Sequence, residues 1–165
     1  MGIWEYQTFN IASDAEPEQL PGVRSSASLF SVLGVPPALG RVFTEAEEAP
    51  GHRVAVISDG VWRTHFGARP TAVGSSLRLN GEPYEVIGVM PPGFEFPVRG
   101  NGAWVPFALT EQDQQRGSHS FWVAARLKPE VAFETARAEI EQIGRALQQK
   151  YADNADEGAT IVPMA

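Results

Sequence analysis

Residues 77–89, LRLNGEPYEVIGV, limit what this chain can build more than any other stretch. Asn80-Gly81 sits between two alternating runs, and this dipeptide accepts the positive φ angles of a two-residue type I′ turn at little cost. That turn sets Leu79 opposite Glu82 and Leu77 opposite Tyr84. Leu77, Leu79, Tyr84 and Val86 then share one face, with Ile87 and Val89 on the other. A return strand that is apolar on both faces must be covered on both, which places it inside a sheet. Pro83 fits the same register: it faces Arg78 in a non-hydrogen-bonded pair, where its missing N–H is not needed.

With 165 residues the chain suits one domain or two small lobes, long enough for a core. Sixteen Gly and 13 Pro fall between the periodic segments, which predicts short strands joined by tight turns. The net charge of −7 argues against a nucleic-acid surface, which needs clustered Lys and Arg. No run approaches the roughly 18 apolar residues needed to cross a bilayer, so the segment is expected to be soluble as it stands. The absence of cysteine removes disulfides, thiol nucleophiles and zinc ribbons together.

Along the chain, residues 6–11 and 19–25 read as a hairpin. Residues 26–33 read as a helical turn with Ser25 or Ser26 as cap and Gly34 as a left-handed exit. Thr44 and Glu47 have capping-box spacing. Val54–Ile57 reads as a buried strand, followed by a helix capped by Ser58 that carries Val61, Trp62, His65 and Phe66 and stops at Gly67. His65, alone on an apolar stripe, reads as a packed residue making one hydrogen bond rather than as a ligand. Residues 104–109 form a strand that Pro106 assigns to a sheet edge, and residues 111–120 form a polar loop. The last third reads as a βαβ unit: a strand at 121–127, a helix at 133–151 with Phe133, Ala136, Ile140, Ile143, Leu147 and Tyr151 on one stripe, and a strand at 160–163. Ala132 is a weak cap for that helix, and Glu141 with Arg145 forms an i, i+4 pair.

Chemistry is harder to find. No nucleophile elbow, phosphate loop, dinucleotide fingerprint or paired-histidine metal motif is present. Asp59 and His65 fall on different faces of one short helix, and His52 and His119 lie on separate loops. The sequence therefore names no catalytic, cofactor-binding or metal-binding residue, and no cofactor is expected. Trp4, Trp62, Trp104 and Trp122 are available as stacking platforms for a carbohydrate or peptide, with core packing as the simpler reading. A free-standing secreted binding module is thus the alternative to the reading that follows, and a hydrolase would need converging Asp, His and Ser side chains.

Taken in order, several stretches resemble the periplasmic core domain of MacB-type ABC-transporter permeases, the group that includes FtsX and the lipoprotein-releasing permeases. They are residues 28–35 (SLFSVLGV), 38–43 (ALGRVF), Val54–Ile57 with Ser58, Trp62 with Phe66-Gly67, Val73-Gly74 leading into 77–89, Pro91-Pro92-Gly93-Phe94, His119, and 125–129 (ARLKP). Within that group the series is most similar to the acidobacterial-type duplicated permeases. Glu130 and Ala132 depart from the pattern, standing where the family usually has Gly and a capping Thr or Ser. The resemblance implies an α+β fold in two lobes: a porter-like, βαβ-containing lobe at about 1–35 plus 115–165, and an inserted strand-rich lobe at about 36–114. It further implies an extracytoplasmic, non-catalytic domain on the periplasmic side of a bacterial inner membrane. Its partners would be the permease's own transmembrane helices and a cytoplasmic ATPase, neither in this chain, and a periplasmic adaptor or exported substrate.

Overall fold

The computed structural model describes residues 1–11, 18–108, 121–151 and 158–164. The chain falls into two compact units, Met1–Ala125 and Arg126–Ala165. Among the described residues the first contains eight strands: β1 (Gly2–Ile11), β2 (Glu18–Ser25), β3 (Leu39–Gly40), β4 (Val54–Ile57), β5 (Ser76–Leu79), β6 (Glu82–Val89), β7 (Ala103–Pro106) and β8 (Trp122–Ala124). It also holds α1 (Ser28–Leu33) and α2 (Asp59–Phe66). With α3 (Phe133–Lys150) in the second unit, the fold is α+β.

The strands run in the order β2-β7-β4-β6-β5-β1-β8, and β1 also pairs with β2. Six strands therefore close into a hydrogen-bonded ring, which leaves few sheet edges open. One core draws on every strand of this ring, with Phe9, Ile11, Leu20, Ile57, Leu79 and Val105 among its members. A second core, around Trp4, Phe30, Phe43, Ile87 and Trp104, packs against α1 and against the segments carrying Val42, Phe94 and Phe96.

The 77–89 hairpin forms as read. Leu79 faces Glu82, Leu77 faces Tyr84 and Arg78 faces Pro83, across a turn with φ of 52° at Asn80 and 83° at Gly81. β6 is central: β4 runs parallel along one side, and β5 and then β3 pair along the other. The expected faces need one correction. Ala55 faces Val86 but Val56 faces Gly88, so β6 carries one extra residue in a β-bulge. The bulge resets the alternation, and Val89 joins Val86 in the ring core while Ile87 alone turns to the second core.

Four further expectations change. β7 is not an edge strand; it is buried and lies between β2 and β4, and Pro106 is tolerated as its last residue, beyond the β4 pairing. Ser26 does not cap α1. Its Oγ accepts the Ile3 N–H at 3.0 Å, and the Ala27 N–H before the helix goes to a Glu48 carboxylate oxygen at 2.8 Å. In the second unit Glu141 pairs with Arg137 at 3.0 Å rather than with Arg145. Residues 160–163 are not in a strand, so the βαβ unit is left unclosed. The returning chain instead meets α3 at Gly144, where a Cβ would stand 2.9 Å from the Ala159 nitrogen. Ser58 and Gly67 cap α2 as expected, and Gly34 ends α1 in the left-handed conformation. The expected loop at 111–120 lies outside the described residues.

Asn80 bonds across the junction of β1 and β5. Among the described residues these strands share the register pair Ile11 with Leu79. The Asn80 N–H donates to the Asn10 carbonyl at 2.8 Å, and the Asn10 N–H donates to Asn80 Oδ1 at 2.8 Å. Asn80→Gly is therefore expected to destabilise the domain by about 1 kcal/mol, although Gly suits the turn at least as well. Equilibrium denaturation checks this, and an unchanged or raised stability would show that Asn80 serves the turn alone. Gly88 makes a second test. A Cβ there would lie 2.2 Å from the Arg41 carbonyl oxygen, so Gly88→Ala should cost on the order of 3 kcal/mol. Gly60→Ala, whose Cβ meets only Ser58 Oγ at 3.6 Å, should gain up to about 0.5 kcal/mol in the same assay.

Candidate functional site

Three places in the first unit bring chemically distinctive side chains together. One is a groove of about 280 Å³ whose lining includes Glu18, Leu20, Ser58, Asp59, His65 and Asn101. It gathers the Ser, Asp and His that a hydrolase would need, and it does not align them. Ser58 Oγ accepts the Val61 N–H at 3.2 Å as the α2 cap, Asp59 holds Arg63 at 2.7 Å, and His65 Nε2 lies 3.4 Å from Glu18. Thr64 Oγ1 donates back to the Gly60 carbonyl at 3.0 Å. Among the described residues the bonds of the Ser58 and Thr64 hydroxyls run to backbone groups and not to a base. Asn101, 3% exposed, donates through Nδ2 to the Ala103 carbonyl at 3.3 Å, while its buried Oδ1 has no partner among the described residues. No group of three His, Asp or Glu among the described residues could hold a metal ion. His52 is exposed on its loop, and His119 lies outside the described residues.

The second place is an ion-pair cluster that spacing only half revealed. Glu47 accepts the Thr44 N–H at 2.8 Å, as the capping-box reading expects. Both carboxylate oxygens also take Arg41, each at 2.8 Å. Arg41 is held there because Gly40 and Gly88 lie opposite each other in the β3–β6 pair and the Arg41 N–H donates to the Ile87 carbonyl at 2.9 Å. The Arg41 guanidinium, opposed in part by burial and helped by Thr44, holds the Glu47 carboxyl well below the usual carboxylate range, at about 2.

The third is an aromatic run from core to solvent. Phe96 meets Trp4 edge-on at 4.9 Å, Trp4 stacks on Trp122 at 6.4 Å, and Trp122 meets Tyr6 at 6.2 Å. Of the four tryptophans, Trp104 is fully buried, Trp4 nearly so, and Trp62 is half-buried with its indole N–H on the Arg69 carbonyl at 2.8 Å. Trp122 alone is open, at 57%, next to Val123 at 55%. Both faces of β8 are thus exposed at Trp122 and Val123, an outcome that two adjacent apolar residues in the sequence do not signal.

These places offer surfaces and a sheet edge, and no assembled reaction centre is present among the described residues. The sequence profile of the MacB-like periplasmic core domain matches residues 4–143, and the chain belongs to that family. The fold is shared with the periplasmic region of MacB from Actinobacillus actinomycetemcomitans, at a TM-score of 0.66 and 16% identity over 88% of this chain and 66% of that one. It is also shared with the extracellular domain of the noncanonical ABC-type transporter YknZ from Gram-positive bacteria (TM-score 0.64, 18% identity, 92% and 76% covered). A domain assigned to a permease protein from Porphyromonas gingivalis matches as well (TM-score 0.69, 14% identity, 100% and 76% covered). The chain thus spans about two thirds of the MacB periplasmic region. No curated protein matches it in sequence. It is an extracytoplasmic domain of the MacB-like permease kind, and no helix among the described residues is long and apolar enough to cross a membrane.

Two measurements follow from this geometry. Because the Glu47 pKa is lower in the folded chain than the ordinary 4.5, its contribution to stability is complete above about 4.5 and is lost as the pH falls toward about 2. Denaturation across that window should show the unmodified chain losing more stability than Glu47→Gln; parallel curves would mean that the ion pair is not formed. For the tryptophans, Trp122→Ala should remove most of the acrylamide-quenchable fluorescence and cost well under about 1 kcal/mol. Trp104→Ala should leave the quenchable fraction and cost about 3–5 kcal/mol. Equal quenching losses would contradict the exposures.

Proposed function

We propose that this domain is a passive mechanical part of an ABC-transporter permease. It couples ATP-driven motion of the membrane portion to substrate export or to a periplasmic partner, and it performs no chemistry itself. Membership of the MacB-like periplasmic core domain family over residues 4–143 carries this reading. The groove agrees with it, since its Ser, Asp and His side chains are each spent on capping or ion pairing. The partners in this reading are the permease's transmembrane helices and a cytoplasmic ATPase, with a periplasmic adaptor or the exported substrate on the outer side. Nucleic acid is not among them, given the net charge of −7. We place the chain in the acidobacterial-type duplicated branch on its ordered segments.

The two lobes, about 1–35 plus 115–165 and about 36–114, belong to the same proposal. β1 and β2 of the first would pair with β5 and β7 of the second, so displacement of one would drag the other through backbone hydrogen bonds.

The chain has no cysteine, so Ser76→Cys on the exposed side of β5 gives one labelling position. In the full-length permease reconstituted with its ATPase, the distance from a spin label there to one at the membrane boundary should change between nucleotide-free and ATP-bound states. An unchanged distance would sink the relay. Separately, the isolated domain should release no phosphate from ATP; turnover by this chain would sink its non-catalytic character.

A further inference from the structure

The groove beside α2 carries Glu95 as well as Glu18 and Asp59, and no Lys or Arg lines it among the described residues. Three carboxylates therefore set its charge. The arginines that answer two of them stand outside: Arg63 meets Asp59 at 2.7 Å and Arg99 meets Glu95 at 3.4 Å, and both arginines are exposed. Exposed pairs are screened and weak, so they offset the negative potential only in part. Leu20, Val61 and Phe94 add apolar wall. The carboxylates do not converge on one point, since no three acidic or His side chains among the described residues could hold a metal ion.

Asn101 supplies an independent observation. It is 3% exposed and its backbone is pinned: its N–H donates to the Val98 carbonyl at 3.2 Å, and the Gly102 N–H donates to the Pro21 carbonyl at 2.7 Å. Nδ2 donates to the Ala103 carbonyl at 3.3 Å, which fixes the sense of the amide, because a carbonyl has no proton to give Oδ1. Oδ1 is then a buried acceptor with no donor among the described residues, on a side chain that lines the groove. An acceptor in that state calls for a guest that brings the donor.

We propose that this groove binds a small organic cation, a guanidinium or primary ammonium head group on a short alkyl chain. The head group donates to Asn101 Oδ1, the amide adjusting from its long bond to Ala103, and sits in the field of Glu18, Asp59 and Glu95. The alkyl chain lies along Leu20, Val61 and Phe94. At about 280 Å³ the groove is at the small end of ligand pockets, which limits the guest to a few carbons beyond its head group. The site stands apart from the relay, whose label-distance test has no bearing on whether the groove is filled.

Calorimetric titration of this chain with N-butylguanidinium, and with N-butylurea as its uncharged isostere, tests the site. The cation should bind with a Kd of about 1 mM or tighter, at least about ten-fold tighter than the urea. Asn101→Leu should weaken the cation at least about ten-fold. Glu95→Gln, on an exposed side chain where folding is not at stake, should weaken it about three-fold. The tripeptide Gly-Arg-Gly separates two sources of the head group. Binding as tight as that of the free cation assigns it to a partner's side chain, weaker binding assigns it to a free small molecule, and either supports the site. No binding of the cation, equal binding of cation and urea, or a Kd that Glu95→Gln leaves unchanged overturns it.

Discussion

Strand β6 has no face left for water between Val86 and Val89, and both of its edges are bonded. Every other element of the first unit is arranged around that condition. Burying Val86, Ile87 and Val89 is worth about 1.5–3 kcal/mol each, against about 1 kcal/mol for a ladder bond disturbed by the bulge. Burial wins, and the strand accepts an irregular register to send Val86 and Val89 to one core and Ile87 to the other. The same crowding explains why two glycines face each other across β3 and β6. At Gly40 a Cβ would stand 2.2 Å from the Ile87 carbonyl oxygen, as at Gly88 it would from Arg41.

That close approach has an electrostatic consequence. Once Gly40 is pressed on β6, Arg41 is delivered to Glu47, and Glu47 in turn ties down the Thr44 backbone. Phe43, between them in sequence, is buried against Phe30 at 5.2 Å. A segment with only two residues of strand thus becomes a fixed cover over the second core. The acidic character of the chain is partly used here as structure: Glu47 holds Arg41, Glu48 accepts the N–H before α1, and Glu5 holds Arg24 at 2.9 Å.

Local signals in the sequence were legible where a single short-range rule decides the outcome. The Asn-Gly turn, the Ser58 and Gly67 caps, the Thr44–Glu47 box and the buried Val54–Ile57 strand all belong to this group. What escaped depended on partners distant in sequence. The bulge at Ile87 is dictated by β4, the central position of β7 by β2, and the second role of Asn80 by Asn10. Pro106 misled because a proline argues for an edge only when its N–H would be needed, and here it ends the strand. The groove was invisible for the same reason: Glu18, Ser58, His65 and Asn101 come together because β2, β7 and β4 are neighbours in the sheet. The family resemblance was legible because several short segments stand in the family's order within the matched residues 4–143.

Ring closure also bears on what kind of work the domain suits. A ring whose strands pair across long sequence separations resists bending, because deforming it breaks several ladders and opens a core shared by all six strands. An enzyme would need polar groups held back from such structural duty so that they could face a substrate. Here the hydroxyls, carboxylates and imidazole in the groove are the groups that pin α2 and the start of β2, so recruiting them for chemistry would loosen the ring. Stiffness and catalysis draw on the same kinds of side chain, and the bonds that Ser58, Asp59 and His65 make in this groove serve the fold.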